Sequence, residues 1–283
     1  MVIESLLFPL KAEKKPWEMF FIGFLYTSVA IFLSLWIFEK QASFIMVFLT
    51  VMAAVPIVYG TMQLEESKDI EINKEKLLLK EHNKAIVFLM FLFLGITLSS
   101  VLWYVVLPSE TVGYLFQKQT QTITDINNQI SGNVVQNFNL FTKILFNNLK
   151  VLAFCILFAF IYGAGAIFIL TWNATVIGTA IGNFIRSNIG AYVSSVGFAN
   201  AAAYFQVVSL GLLRYAIHGI PEIVAYFYGG LAGGIISVAV IKHHYASKKF
   251  SNILLDSSEL LIIAVGFLLV AAFIEVYITP LLF

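Results

Sequence analysis

The sequence predicts an all-α fold, a polytopic helical bundle set in a membrane, and three observations carry that prediction. Of 283 residues, 60% are hydrophobic and only 12% charged, whereas a water-soluble domain carries about 25% charged residues. Mean hydropathy is +0.89. The apolar runs are long and continuous, not ten-residue alternations. That selects helices over a closed barrel, the two structures that satisfy every backbone group in lipid.

Residues 1–19 read as an interfacial segment. Leu6, Leu7, Phe8 and Leu10 are apolar, Lys11, Lys14 and Lys15 follow, and Trp17 suits the headgroup belt. No small-residue cleavage site precedes Leu25, so no cleaved signal is expected. Spans are predicted over 20–38 and 44–59, joined by the polar turn Glu39-Lys40-Gln41, with Pro56 near the far end of the second. Residues 63–84 are charged and read as a solvated cytosolic helix, with docking of a partner as its sharper use. A third span covers 85–107 and is closed by Pro108. In the polar stretch 109–148, Phe116, Ile123, Ile126 and Ile130 recur at helical spacing, which predicts an amphipathic helix on the bilayer.

A fourth span is predicted over 149–170, with Trp172 as its belt residue. The apolar stretch 174–185 is only about three turns long and ends in Arg186. Stretches 199–217, 221–241 and 260–279 read as further spans. Lysines and arginines concentrate in the N-terminal segment, in 63–84 and in 242–249, which places all three in the cytosol. An even number of crossings then lies between Trp172 and Lys242, so one of three apolar stretches fails to cross. The short 174–185 is the expected re-entrant half-helix. The result is about seven crossings plus one half-helix, with the N-terminus cytosolic and the C-terminus extracytoplasmic. Two parts are distinguished: 1–84, the interfacial segment, two-span hairpin and charged helix, and 85–283, a membrane domain with the polar extracytoplasmic loop 108–148.

Composition also excludes functions. A net charge of +1 gives no electrostatic footprint for nucleic acid. Cys155 is the single cysteine, so no intrachain disulfide or thiolate metal site is possible, and it reads as a small buried hydrophobe. No cofactor or metal is expected.

Chemistry concentrates at Arg214-Tyr-Ala-Ile-His218-Gly219-Ile-Pro221-Glu222. Ionisable groups inside a membrane are expensive and are functional-site candidates by default. Arg214 and His218 share a helix face. Gly219 and Pro221 predict that one helix ends and another starts, with Glu222 in the new first turn folding back towards His218. Tyr226, Gly229 and Gly233 continue that face. The alternatives are a buried, mutually paired network fixing a hairpin, a solute, ion or proton site, and a catalytic centre. Catalysis is the weakest, because zinc normally needs three protein ligands and His218 and Glu222 supply two.

Small-residue patterns at Gly163–Gly165, Gly178–Gly182 and Gly229–Gly234 predict close helix packing or an oligomer contact. Asn147 and Asn148 open the fourth span as predicted and suit capping of its first turn. Asn173-Ala-Thr175 matches a glycosylation pattern that the predicted topology places on the wrong side.

In order, Asn147-Asn148, an apolar span with Gly163-x-Gly165, Asn173 before a Gly178-containing stretch, and His218-Gly219-x-x-Glu222 opening a glycine-rich span resemble the stage II sporulation protein M family. The resemblance covers roughly 85–283. It implies a multipass protein of the cell membrane without catalytic activity, acting with partner proteins in a complex. The expectation is therefore a non-enzymatic scaffold or complex subunit, in contact with the lipid bilayer and with protein partners or a second copy. The alternative is a transporter or channel for a small solute or ion, using Arg214, His218 and Glu222.

Overall fold

In the computed structural model, residues 15–72, 75–130, 137–192, 198–242 and 249–282 are described. The expected interfacial stretch 1–14, Ser194 and Ser195, and most of the basic loop at 243–248 lie outside the described residues. Helix α1 (Glu18–Phe38) ends where the polar Glu39–Gln41 forms a 3-10 turn, and α2 (Ala42–Glu71) starts at once. Pro56 lies inside α2, which runs on far beyond the predicted end of that span. Ile72 is extended and breaks the chain before α3 (Glu75–Val106). The charged stretch 63–84 is thus the tail of one helix and the head of the next, not one helix.

The polar loop holds α4 (Ser109–Leu115) and α5 (Gln117–Ile130). They do not simply lie on a bilayer. Val112, Leu115 and Phe116 are buried in the main core, and Gln119 is fully enclosed. Its side chain accepts from Ser43 Oγ at 2.7 Å and donates to Ser43 O at 3.3 Å and Thr175 Oγ1 at 3.4 Å. One amide therefore pins the loop to the start of α2, just after the α1–α2 turn, and to the long helix that carries Thr175.

Helix α6 (Asn137–Tyr162) stops at Gly163, whose φ of 68° is a left-handed conformation that only glycine adopts cheaply. Helix α7 (Ala166–Tyr192) follows as one 27-residue helix. The predicted half-helix 174–185 is therefore its middle, and the predicted fourth span ends eight residues early. Hydropathy hid this turn because Gly163-Ala164-Gly165 is itself apolar. Helix α8 (Phe198–Ile241) is continuous over 44 residues through Gly219 and Pro221, so the predicted hairpin there does not form. Proline removes one backbone hydrogen bond, whereas ending a helix strands about four groups on each side, and lipid offers those groups no partner. Helix α9 (Lys249–Phe273) continues into a π-helical turn at Ile274–Ile278.

Among the described residues, six apolar helical stretches are long enough to cross a bilayer, the first being Glu18–Glu71, which the 3-10 turn divides into α1 and α2. Close approaches set their directions. Gly23 meets the Leu92 carbonyl, Ser28 bonds Ser99 at 3.0 Å, and Phe32 meets Trp103, so α1 and α3 run parallel. Gly178 faces Ser100 and Gly182 faces Tyr104, so α7 runs with them. Leu152 faces Gly229 and Ala159 faces Gly233, so α6 and α8 run parallel. One continuous core joins α1 and α2 to the rest, from Met19 to Leu268.

Candidate functional site

The face of α8 that carries His218, Glu222 and Tyr226 turns towards α9. Residues four apart on a helix lie one above the other. Because α8 does not turn back, His218 and Glu222 meet this face in succession and not across a hairpin. Tyr226 is fully buried, and its hydroxyl donates to Glu222 Oε1 at 2.7 Å. His218 Nδ1 lies 3.5 Å from Thr279 Oγ1, the limit of a hydrogen bond, while that hydroxyl donates to the Ile274 carbonyl at 3.2 Å. The Arg214 side chain lies outside the described residues.

Sequence reasoning left Glu275 out of this group. It sits in the π-helical turn, four residues before Thr279, which meets His218 of α8. Single-turn π segments inside helices often mark functional sites. Its only sequence signal was a lone carboxylate in an apolar span. Glu222 and Glu275 are both only partly covered. From α6 comes Asn148, 5% exposed, whose Nδ2 has no hydrogen-bond partner among the described residues. It lies one turn before Leu152, which packs on Gly229, so parallel register sets it level with Ala225 and Tyr226. Cys155, the free buried thiol, also neighbours Tyr226. Among the described residues, no group of three or more His, Cys, Asp or Glu side chains is placed to hold a metal ion.

This order of motifs agrees with one family model, stage II sporulation protein M, which matches residues 84–280. The chain belongs to the stage II sporulation protein M family. No curated protein and no solved structure matches it.

Within the part shared with the stage II sporulation protein M family, the other motif residues have structural roles. Asn147 and Asn148 are not caps, because α6 begins ten residues earlier, at Asn137. Asn147 is exposed and Asn148 is buried. Asn173 donates to the Ile169 carbonyl at 2.8 Å, a bond within its own helix. Gly163 makes the turn, and a Cβ on Gly165 would lie 2.2 Å from the Phe158 carbonyl. Gly178, Gly229 and Gly233 each abut a neighbouring helix, whereas Gly219 faces open space. Arg186, which closes the predicted half-helix, instead closes α3. Its guanidinium donates to the carbonyls of Tyr104 at 3.1 Å and Leu107 at 3.2 Å, and to Ser109 Oγ at 2.7 Å. A cation there satisfies free carbonyls and complements the helix dipole.

The larger surprise lies at the other end. Residues 63–84 are not a solvated surface: Glu65, Glu66, Asp69 and His82 are buried. His82 Nδ1 is 2.7 Å from Glu65 Oε2, and its Nε2 is 3.0 Å from Asp69 Oδ1. Lys68 meets Glu65 at 2.7 Å and Glu81 at 3.7 Å. Lys242, just past the end of α8, meets Glu66 at 2.7 Å, and the Tyr228 hydroxyl of α8 donates to Asn83 Oδ1. Gly23, near the start of α1, is level with Leu92, so His82 lies about two turns beyond the apolar layer. Burial pushes the His82 imidazole down, but hydrogen bonds and charge from Asp69 and Glu65 outweigh it and set it at about 9. Burial raises the Asp69 carboxyl, against the His82 charge. Four acids (Glu65, Glu66, Asp69 and Glu81) thus face Lys68, Lys84, Lys242 and a protonated His82. This lock ties the α1–α2 hairpin, outside the family match, to the first turns of α3, at the edge of the match, and to the end of α8 within it.

Proposed function

We propose that this protein is a non-enzymatic, multi-pass scaffold or subunit of a complex in the cell membrane. In this reading α1, α2, α3, α6, α7, α8 and α9 make seven crossings, with the N-terminus cytosolic and the C-terminus extracytoplasmic. The observation that supports it best is the use made of charge: His82 to Glu65, Lys68 to Glu81, Lys242 to Glu66 and Arg186 to Tyr104 each join parts of the chain on different helices. Such pairing suits a rigid frame that displays the α2–α3 tip on one side and α4–α5 on the other. Family membership implies partners in the same direction.

The test is chemical cross-linking in intact membranes followed by purification in mild detergent. A defined species larger than the monomer, holding a second copy or one partner at fixed stoichiometry, is expected. A protein that stays monomeric in membranes would refute the scaffold reading. Orientation is checked with single cysteines at Lys40 and Lys80 in a Cys155→Ala background. A membrane-impermeant maleimide added outside cells should label only position 40.

A second reading, a transporter or channel for a small solute or ion, is favoured by one specific observation. Glu222 on α8 and Glu275 at the end of α9 lie on segments that meet where His218 Nδ1 is 3.5 Å from Thr279 Oγ1, and both keep part of their surface accessible. Flux through proteoliposomes that is lost in Glu222→Gln would support it.

A further inference from the structure

We propose that α3, α7 and α8 form a site for one anionic phospholipid, whose headgroup meets Lys76 and Lys80 and whose acyl chain ends in the apolar groove beside Gly219. The proposal rests on the reading that these three helices cross the bilayer, and not on the scaffold role.

The charged lock leaves two cations over. Lys68, Lys84, Lys242 and His82 each meet an acid. Lys76 and Lys80 are exposed and enter no ion pair among the described residues. At 3.6 residues per turn they share one face of α3 with Val87, Leu94 and Leu98, all exposed. One stripe therefore passes from basic to apolar along a helix that enters the membrane. Basic side chains beside a membrane attract anionic lipid headgroups. A zwitterionic headgroup, with no net charge, gains little from them.

The groove is the independent observation. The stripe leads to a cleft of about 110 Å³, lined by Met90, Leu94 and Thr97 of α3, Ile177 of α7, and Gly219 and Ile220 of α8, among others. The Thr97 hydroxyl donates to the Phe93 carbonyl at 3.0 Å, so no lining side chain calls for water. An apolar cavity of roughly 150 Å³ stays dry and takes up benzene, so this one suits the end of a hydrocarbon chain. Gly219 keeps the space open, since a Cβ there would meet nothing within 4 Å. Leu94 and Ile220, 41% and 47% exposed, flank its mouth on the lipid side. Lengths agree as well. Leu94 lies about 21 Å along α3 from Lys80 at 1.5 Å per residue. Half a bilayer with its headgroups is about 20 Å, so a chain whose phosphate sits at Lys80 ends at the groove. A helix from a second copy, about 10 Å across, is too wide for it.

The test places the full chain in phosphatidylcholine nanodiscs with a trace of phosphatidylglycerol that carries a diazirine at the end of one acyl chain. After illumination, peptide mapping locates the adducts. They should concentrate on the groove residues of α3, α7 and α8. Unlabelled phosphatidylglycerol should suppress them, whereas inorganic phosphate should not. Lys76→Gln and Lys80→Gln should each weaken labelling about fivefold. Gly219→Leu should fill the groove and abolish labelling there. Gly266→Leu on α9, whose Cβ position is equally open, should leave it unchanged. Thermal unfolding of each variant shows that it is folded. Adducts spread evenly over the lipid-facing helices overturn the site. So does labelling that unlabelled phosphatidylglycerol fails to suppress, that inorganic phosphate displaces, or that folded Lys76→Gln and Lys80→Gln variants retain in full. Cross-links from the groove to a second copy in place of lipid adducts also overturn it. A protein that is monomeric in membranes yet binds the lipid removes the scaffold and leaves the site standing.

Discussion

His82 and Glu65 meet at 2.7 Å, buried, although seventeen residues separate them in the chain. That contact makes the charged end of the bundle sensitive to pH. The folded imidazole, at about 9, lies above its ordinary 6.5, so folding tightens its hold on the proton. The stabilisation is therefore complete below about pH 6.5 and is lost as pH rises through about 9, on the order of 3 kcal/mol in all. Thermal unfolding in detergent followed from pH 6 to 10 should show the midpoint falling across that window. His82→Gln should flatten the profile. A parent profile that is already flat would remove His82 from the lock.

Arg186 should matter for the C-terminal end of α3. Its bonds to Tyr104, Leu107 and Ser109 are made by a cation to neutral groups, a class that contributes about 1.5–3 kcal/mol each in favourable cases. Arg186→Gln should lower the unfolding midpoint and increase proteolysis near Ser109. Arg186→Lys should rescue only in part, because one ammonium replaces two guanidinium nitrogens, Nη1 serving the two carbonyls and Nη2 serving Ser109 Oγ. Full rescue by lysine would show that charge alone closes this helix.

Two glycines of one helix should respond in opposite ways. A Cβ on Gly233 would lie 2.7 Å from the Ile156 carbonyl, so Gly233→Ala must push α6 away from α8. Overpacking of this kind costs about 1–3 kcal/mol. Gly219 meets nothing within 4 Å, so Gly219→Ala gains helix propensity of up to about 1 kcal/mol. The measurement is the unfolding midpoint of each variant. Equal destabilisation would contradict the open face at Gly219.

Glu222→Ala removes the acceptor of a fully buried tyrosine hydroxyl, at a cost of about 1–3 kcal/mol. Glu222→Gln keeps an acceptor and should recover most of the loss. Stability of the alanine variant equal to the parent's would count against the Tyr226–Glu222 bond as a structural element.

Several features were open to reading from the chain. Composition and run length predicted an all-helical membrane bundle, and the helix at Glu18–Phe38 and the end of α3 at Val106 fall where apolar runs do, although α3 starts ten residues earlier, at Glu75. The turn at Glu39–Gln41 was legible because charge interrupts the run. Other boundaries were misread for one reason: the rules for glycine and proline were learned in water. Pro221 and Gly219 predicted a break that lipid disfavours, while Gly163-Ala164-Gly165, apolar throughout, concealed a real one. At the site, the spacing of His218, Glu222 and Tyr226 was visible, because i, i+4 is a property of one helix.

The sequence by itself determined which segments leave water, since that depends on the transfer of each run into lipid and on backbone bonds closed within it. It also determined which polar groups share a helix face. Only the tertiary structure decided which faces meet. Thr279 comes to His218, Asn148 reaches the level of Tyr226, Arg186 closes α3, and Glu65 and Asp69 enclose His82, because glycine contacts such as Gly23 on Leu92 and Gly229 on Leu152 set the registers between helices. Those registers join residues far apart in the chain, and no local pattern records them.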